Sequence, residues 1–396
     1  MSALRTASAV VTFGEEIIGE SGPFETPESA AWNNTAPVCE RLSALLGVPV
    51  VVLRLLEVSG GGFARGGRVR YHAEALERPR SRLSPAAAGD LFEPHPLRSR
   101  WATSAGLREG LEWASSVAEV TGPPRQAKTW NLGAVFRLPV EGGSVWLKGS
   151  APFGAAEPDA LEWIGDPSLT PVVLARRPGW TVLSHLPGED CWEAGPGLLD
   201  ALVRRWAEAA GRLGAPASLP DRRPARLPAL FAGLLDGEAG RSLDAAETEA
   251  AGRLLDALPR LISGLEACGL PEGLVHGDFH PGNCRSDGTR TTVLDFADAH
   301  HGHPALDGLR PATFVAPDLW EPCRSAWIST WSRAVPGSDP ARALELFRPL
   351  AHLSYAHRYQ EFLDAIEPSE RIYHEGDPAE EIREALQAVK TSRPPT

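Results

Sequence analysis

The 396-residue chain predicts an α+β protein: a small antiparallel sheet, a larger and mostly helical part after it, and an additional small N-terminal α/β domain before both. Three observations predict this. Residues 125–149 hold three strand-like runs, 125–131, 133–140 and 144–149, with Glu141-Gly142-Gly143 as the turn between the last two. Beyond Gly197 apolar residues return at helical spacing, first Leu198, Leu202, Trp206, Ala209 and Leu213, then Leu254, Leu258, Leu261 and Leu265. Near the start, Trp32, Val38, Leu42 and Leu45 mark a helix within 27–46, and the β-branched run Val50–Val58 follows it.

From the N-terminus, the run from Val50 turns through Ser59-Gly60-Gly61-Gly62 into a second strand over 68–76. Residues 77–100 are rich in Pro, Arg, Ala and Ser, lack either period and read as a linker. The module over 1–95 carries no recognisable chemistry, so a structural or homodimer-forming role is expected for it. Leu107, Leu111, Ala114 and Val117 mark a short helix stopped by Thr121-Gly122-Pro123-Pro124. The third strand of the small sheet ends on Lys148, a lone cation closing an apolar run; taken alone it reads as a solvated strand tip. Pro259 is expected to kink the second long helix, residues 216–228 form an Arg- and Pro-rich loop, and further helices are expected at 319–334 and 341–366. The domains are placed at 1–95, 101–188 and 189–396.

Composition narrows the function. A net charge of −12, from 51 acidic against 39 basic residues, disfavours nucleic acid, whose phosphates need a basic surface. It suits a small-molecule substrate that is cationic, although most acidic surfaces serve solubility. No run of eighteen apolar residues is present, so no membrane partner is expected, and the start lacks the apolar core of a secretory signal. Five scattered cysteines without a CxxC pair suggest reduced thiols and a cytoplasmic protein.

The chemistry concentrates in two stretches. Residues 276–283 read HGDFHPGN, and after a hairpin-like stretch residues 294–299 read LDFADA. Each alone is also a plain polar turn or strand end; together, after a strand-borne Lys, they supply what phosphoryl transfer needs. One carboxylate, Asp278, takes the proton of an attacking hydroxyl, while an amide and a second carboxylate, Asn283 and Asp295, hold magnesium on the triphosphate. Magnesium keeps waters and phosphate oxygens in its octahedron, so two protein oxygens suffice.

With these motifs, and with His303-Pro304-Ala305-Leu306-Asp307 as a further landmark, residues 101–366 resemble the aminoglycoside phosphotransferase and choline kinase-like family. The resemblance implies a two-lobed protein-kinase-like fold with an antiparallel N-lobe sheet and a mostly helical C-lobe. It implies ATP and Mg2+ as cofactors, Asp278 as catalytic base, and Asn283 and Asp295 as metal ligands. Lys148 then resembles the lysine that grips the α and β phosphates, with Glu157, rather than Glu162, as its partner, and residues 182–188 resemble the hinge between lobes. Two departures stand out. Thr129-Trp130-Asn131-Leu132-Gly133-Ala134 replaces the glycine-rich loop of protein kinases, and Gly277 stands where they carry the Arg of HRD. Ala316-Pro317-Asp318 stands in the place of APE and reads better as a helix cap.

Weaker constellations remain. His300, His301 and His303 with Asp298 have zinc-competent side chains, though adjacent histidines cannot all converge. His276 is expected to brace the loop; His280 has no assigned role. Cys284 reads as a packed small residue whose thiol could sensitise the site to alkylation. Glu361, Asp364 and Glu367, three apart, would share one helical face, which reads as solvated, although the resemblance implies that acidic residues of the C-terminal helices meet amine-bearing substrates.

The expected function is ATP-dependent transfer of the γ-phosphate to a hydroxyl of a small molecule: an aminoglycoside, an amino sugar or a related natural product. Antibiotic resistance is among the roles the resemblance implies. The alternatives are a pseudokinase-type scaffold, which would not need the set Lys148, Asp278, Asn283 and Asp295, and a protein kinase, disfavoured by Gly277.

Overall fold

The computed structural model describes residues 4–26, 31–62, 64–81, 83–86, 89 and 91–391. The chain forms two compact units, one of residues 1–155, 173–185 and 362–375, the other of 156–172, 186–361 and 376–396.

The first unit contains two sheets. The N-terminal one has strands β1 (Arg5–Phe13), β2 (Glu16–Glu25), β3 (Val50–Ser59) and β4 (Gly67–Ala75) in the order β2-β1-β4-β3, and β1 runs parallel to β4 while the outer pairs are antiparallel. Strands β1 and β2 were not anticipated; the alternation Thr6, Ala7, Ser8, Ala9 is the signal for them, since Ala7, Ala9 and Val11 are fully buried. Helix α1 (Ala36–Leu46) buries Val38, Leu42 and Leu46 and closes on Gly47 in the left-handed conformation, whose N–H reaches Ser43 O. It therefore starts later than the predicted 27–46, of which 27–30 lie outside the described residues.

Helix α2 (Ser104–Val117) starts on the Thr103 hydroxyl, which accepts from Gly106 N, and precedes β5 (Arg125–Trp130), β6 (Gly133–Val140), β7 (Gly143–Ser150), β8 (Val173–Arg177) and β9 (Trp180–Ser184), an antiparallel sheet of order β5-β6-β7-β9-β8. The expected N-terminal module and this small sheet share one unit because β3 is buried on both faces. Val50 and Val52 join the core under α1, while Val51 and Leu53 join the core with Leu107, Phe136, Leu147 and Trp180. Gln126 on β5 completes the join: its amide accepts from Val52 N at 2.8 Å and donates to Val52 O at 2.7 Å, as a neighbouring strand would.

Residues 362–375 complete the first unit and correct the acidic trio. Glu367 lies beyond the helix that ends at Asp364, and it accepts from the buried Arg54 (3.3 Å) and the partly buried Arg98 (3.0 Å). Glu361, Asp364 and Glu367 therefore do not form one exposed face. Glu370 accepts from Leu55 N at 3.1 Å, where the β3–β4 ladder is interrupted by a bulge. Burial pushes the Glu370 carboxyl up to about 8 from 4.5, the Leu55 N–H notwithstanding. With its folded value above its unfolded one, the folded state holds an extra proton in between, so stability falls as pH rises from about 4.5 to about 8. Glu370→Gln keeps the acceptor for Leu55 N without a charge. Its melting temperature should match wild type near pH 4 and exceed it at pH 8 by an amount worth on the order of 4 kcal/mol. Parallel melting curves at both pH values would refute this.

The second unit is mostly helical. Its helices are α3 (Glu157–Ile164), α4 (Pro196–Ala210), α5 (Leu227–Asp236), α6 (Glu238–Arg241), α7 (Ala245–Glu266), α8 (Ala305–Leu309), α9 (Pro317–Ala334), α10 (Pro340–Asp364, all but its last turn) and α11 (Asp377–Thr391). The predicted stripes are its core: Leu202 and Trp206 on α4, and Leu254, Leu258 and Leu265 on α7, are buried. A capping box between Asp244 and Glu247 starts α7, and Ala316 caps α9 with Pro317 in its first turn, as a helix start there requires. Short strands β10 (Glu189–Asp190), β12 (Cys284–Ser286) and β13 (Thr291–Val293) form one sheet, and β11 (Gly273–Val275) pairs antiparallel with β14 (His300–Gly302).

Candidate active site

Strand β11 delivers the chain to His276, and a buried carboxylate anchors the turn there. Asp307 Oδ2 accepts from His276 N at 2.8 Å and from Trp206 Nε1 at 2.8 Å, and Oδ1 accepts from Gly277 N at 2.9 Å. Gly277 needs its lack of a side chain: its φ is +86°, and a Cβ would stand 2.4 Å from Asp298 O. The missing HRD arginine thus has a steric cause. His276 braces the loop as expected, since Nδ1 accepts from Asp278 N at 3.2 Å, which leaves Nε2–H to donate to Leu294 O at 3.0 Å.

Asp278 is held from both sides. Oδ1 accepts from Arg310 Nε at 2.7 Å; Oδ2 accepts from Asn283 Nδ2 at 3.1 Å and faces His280 Nε2 at 3.4 Å. Burial alone would raise this carboxyl. The Arg310 guanidinium foremost, then His280, overcome burial and hold it well below the usual carboxylate range. Asn283 Nδ2 also donates to Asp278 O at 3.0 Å, which ties the two ends of the motif together.

Asp295 sits in the left-handed region with φ 66° and ψ 64°, a rare conformation for a residue with a side chain. The hairpin β12–β13 brings it beside Asn283: Leu294 N donates to Asn283 O at 2.9 Å. Asp278, Asn283 and Asp295 are thus neighbours on one short loop-hairpin-loop. The pair Asn283 and Asp295 fits magnesium, because Asn283 spends its Nδ2 on Asp278 and keeps its Oδ1, a hard oxygen, uncommitted.

Glu157, the first residue of α3, is buried, and its Oε1 accepts from Phe296 N at 2.9 Å, one residue past Asp295; Glu162 is exposed. Lys148 lies in the first unit, on β7, in register with Val135 on β6 and Thr181 on β9. The tip of the β5–β6 hairpin, in place of a glycine-rich loop, is buried: Asn131 is 1% exposed, Thr129 N donates to Asn33 O, and Trp130 packs edge-on against Tyr373.

The histidine cluster is structural. His300 and His303 are buried and pushed down to about 3 by that burial, and among the described residues no group of three or more ligating side chains could hold a metal. Cys284 is buried, and burial raises its thiol well above the usual range, so it is not an activated nucleophile. All five cysteines are free thiols. Sequence reasoning missed Arg310, the bracing role of Asp307 and the placement of His280. The last stacks on Phe314 at 4.0 Å and contacts Trp192 at 5.1 Å. Only the landmark ending at Asp307 pointed this way, and it did not reach Arg310.

A loop that sets a half-buried carboxylate beside an amide and a second carboxylate, in an α+β fold, is the arrangement of a kinase-like protein. Two solved structures share the fold. The aminoglycoside phosphotransferase APH(2'')-Ib, ADP-bound, is 15% identical with a TM-score of 0.51, over 71% of this chain and 98% of its own. An ethanolamine kinase of Plasmodium vivax is 10% identical with a TM-score of 0.51, over 74% and 89%. No curated protein matches the chain in sequence. The chain belongs to the phosphotransferase enzyme family, whose model matches residues 126–346. It is an enzyme of the phosphotransferase type. No described helix is long and apolar enough to cross a membrane.

Proposed function

We propose that the protein transfers the γ-phosphate of ATP to a hydroxyl of an aminoglycoside, an amino sugar or a related natural product, in the cytoplasm. The observation that carries this reading is the close setting of Asp278, Asn283 and Asp295 on a loop braced by Asp307. Asp278 orients the acceptor hydroxyl and takes its proton as the oxygen–phosphorus bond forms. Asn283 and Asp295 would hold magnesium, which neutralises charge on the phosphate oxygens when bound. Lys148 and Glu157 serve nucleotide binding in this reading.

The test is a thermal shift with ATP and magnesium. Wild type should be stabilised, and Asp295→Ala should need at least about tenfold more magnesium-nucleotide for the same shift, since one of two protein metal ligands is gone. Equal titrations for the two proteins would refute the assignment of Asp295.

A further inference from the structure

Arg310 is not explained by holding Asp278 alone. Its Nε makes that bond, whereas Nη1 and Nη2 have no hydrogen-bond partner among the described residues, and the side chain keeps 12% exposure. The guanidinium carbon lies 4.7 Å from the Phe314 ring centroid and 4.5 Å from that of Tyr355, so the charge is fixed between two aromatic rings beside the base. The other carboxylates with partners nearby are answered by cations: Asp298 by Arg358 at 2.5 Å, and Glu361 by Arg358 at 3.2 Å and Arg222 at 2.8 Å. Asp278, Asp298 and Glu361 are each paired with a guanidinium, so none of the three is left over to meet the ammonium groups of a polycationic acceptor.

Next to this arginine stands an exposed indole. Trp192 is 52% exposed although it contacts His280 and, at 6.0 Å, Phe314. It lies so close over Gly282 that a Cβ there would fall 2.0 Å from the ring, which seats the indole on the HGDFHPGN loop itself. A half-exposed ring of this size beside a base offers a face to the C–H surface of a sugar ring. An arginine with two uncommitted nitrogens offers a fork to paired oxygens, a diol or a carboxylate.

Building on the phosphotransfer reading above, we propose that Arg310 and Trp192 form the acceptor subsite and select a neutral or acidic sugar over a polyamine. Trp192 stacks on the ring, the Nη pair of Arg310 binds two of its oxygens, and a neighbouring hydroxyl meets Asp278. That hydroxyl gives its proton to Asp278, its oxygen bonds the γ-phosphorus, and ADP departs with the electrons of the broken phosphorus–oxygen bond. It keeps the phosphotransfer of the reading above and, of the acceptors named there, sets aside the aminoglycosides and amino sugars in favour of related natural products of low positive charge.

ADP release from the full-length enzyme with ATP and magnesium tests this with four probes: glucose, glucuronate, glucosamine and kanamycin A. Wild type should favour the first two over the last two by at least about tenfold in kcat/KM. Arg310→Met, which keeps the stem and removes the charge, should narrow that ratio by about tenfold through the acceptor KM, with the KM for ATP within about twofold. Arg310→Lys keeps the charge and should preserve the discrimination against amines while the acceptor KM rises; it carries the test if the Met variant does not fold. A wild type that prefers glucosamine or kanamycin A, turns over none of the four, or keeps its ratio in Arg310→Met overturns the proposal and leaves the phosphotransfer reading standing. Absence of an ATP–magnesium thermal shift in the wild type would remove both.

Discussion

Asp278→Ala is expected to lower kcat by about a thousandfold or more while the ATP–magnesium thermal shift stays near that of wild type. The carboxylate is the one acidic group on the HGDFHPGN loop, and its backbone is fixed from both sides by His276 Nδ1 and Asn283 Nδ2, so its removal takes away an oriented base without dismantling the loop. The variant does leave Arg310 without its partner, a partly buried cation whose own value burial would lower and Asp278 raises well above the usual range. Some loss of stability is therefore expected with the loss of turnover, and Asp278→Asn, which keeps a carbonyl oxygen for Arg310, should melt closer to wild type and still be inactive. Because Asp278 is held below the usual carboxylate range, its contribution to stability is present above its unfolded value of 3.8 and is lost only as pH falls through the depressed folded value. It is consequently ionised from pH 5 to 9, and no loss of rate in that window should trace to its protonation. Turnover above a tenth of wild type in Asp278→Ala would exclude it as the base.

The second large effect is expected at Asp307, which touches neither proton nor metal. Asp307→Ala leaves His276 N, Gly277 N and Trp206 Nε1 without their acceptor in a site where Asp307 is 3% exposed. Each orphaned buried donor costs roughly 1–3 kcal/mol, and three that share one acceptor are not additive, so a destabilisation of about 3–5 kcal/mol is expected. Asp307→Asn retains one oxygen but turns an N–H toward a donor, and should lie between. Burial raises the Asp307 carboxyl even with three donors around it. A fall in melting temperature of roughly 4–6 °C for the Ala variant is the corresponding observable, together with loss of turnover as the Gly277 turn loses its anchor. A fall under about 2 °C would show that the loop is held by something else.

These two residues show how legibility divides. Asp278, Asn283 and Asp295 could be read because they are close in sequence: five residues and one hairpin separate them, and local backbone geometry suffices to bring them together. The helical stripes of α4 and α7 and the β5–β7 strands were legible for the same reason, since a period needs no partner. The acidic trio failed because sharing a face presumes an unbroken helix, and α10 stops at Asp364 before Glu367 turns to Arg54 and Arg98. Strand β1 is not legible because its small alanines carry little hydrophobic signal until a sheet closes over them.

The sequence by itself determined the reaction type, because proton acceptance and metal ligation depend on residue identity at short spacing. Only the tertiary structure decided what surrounds that chemistry. The partners of the motif come from far along the chain: Arg310 lies 32 residues from Asp278 and Asp307 lies 31 from His276. Trp192, more distant still, meets the loop only by packing onto Gly282. No period or spacing encodes such pairings. They arise from how the core closes, and the basicity of Asp278 and the charge its acceptor can carry depend on them.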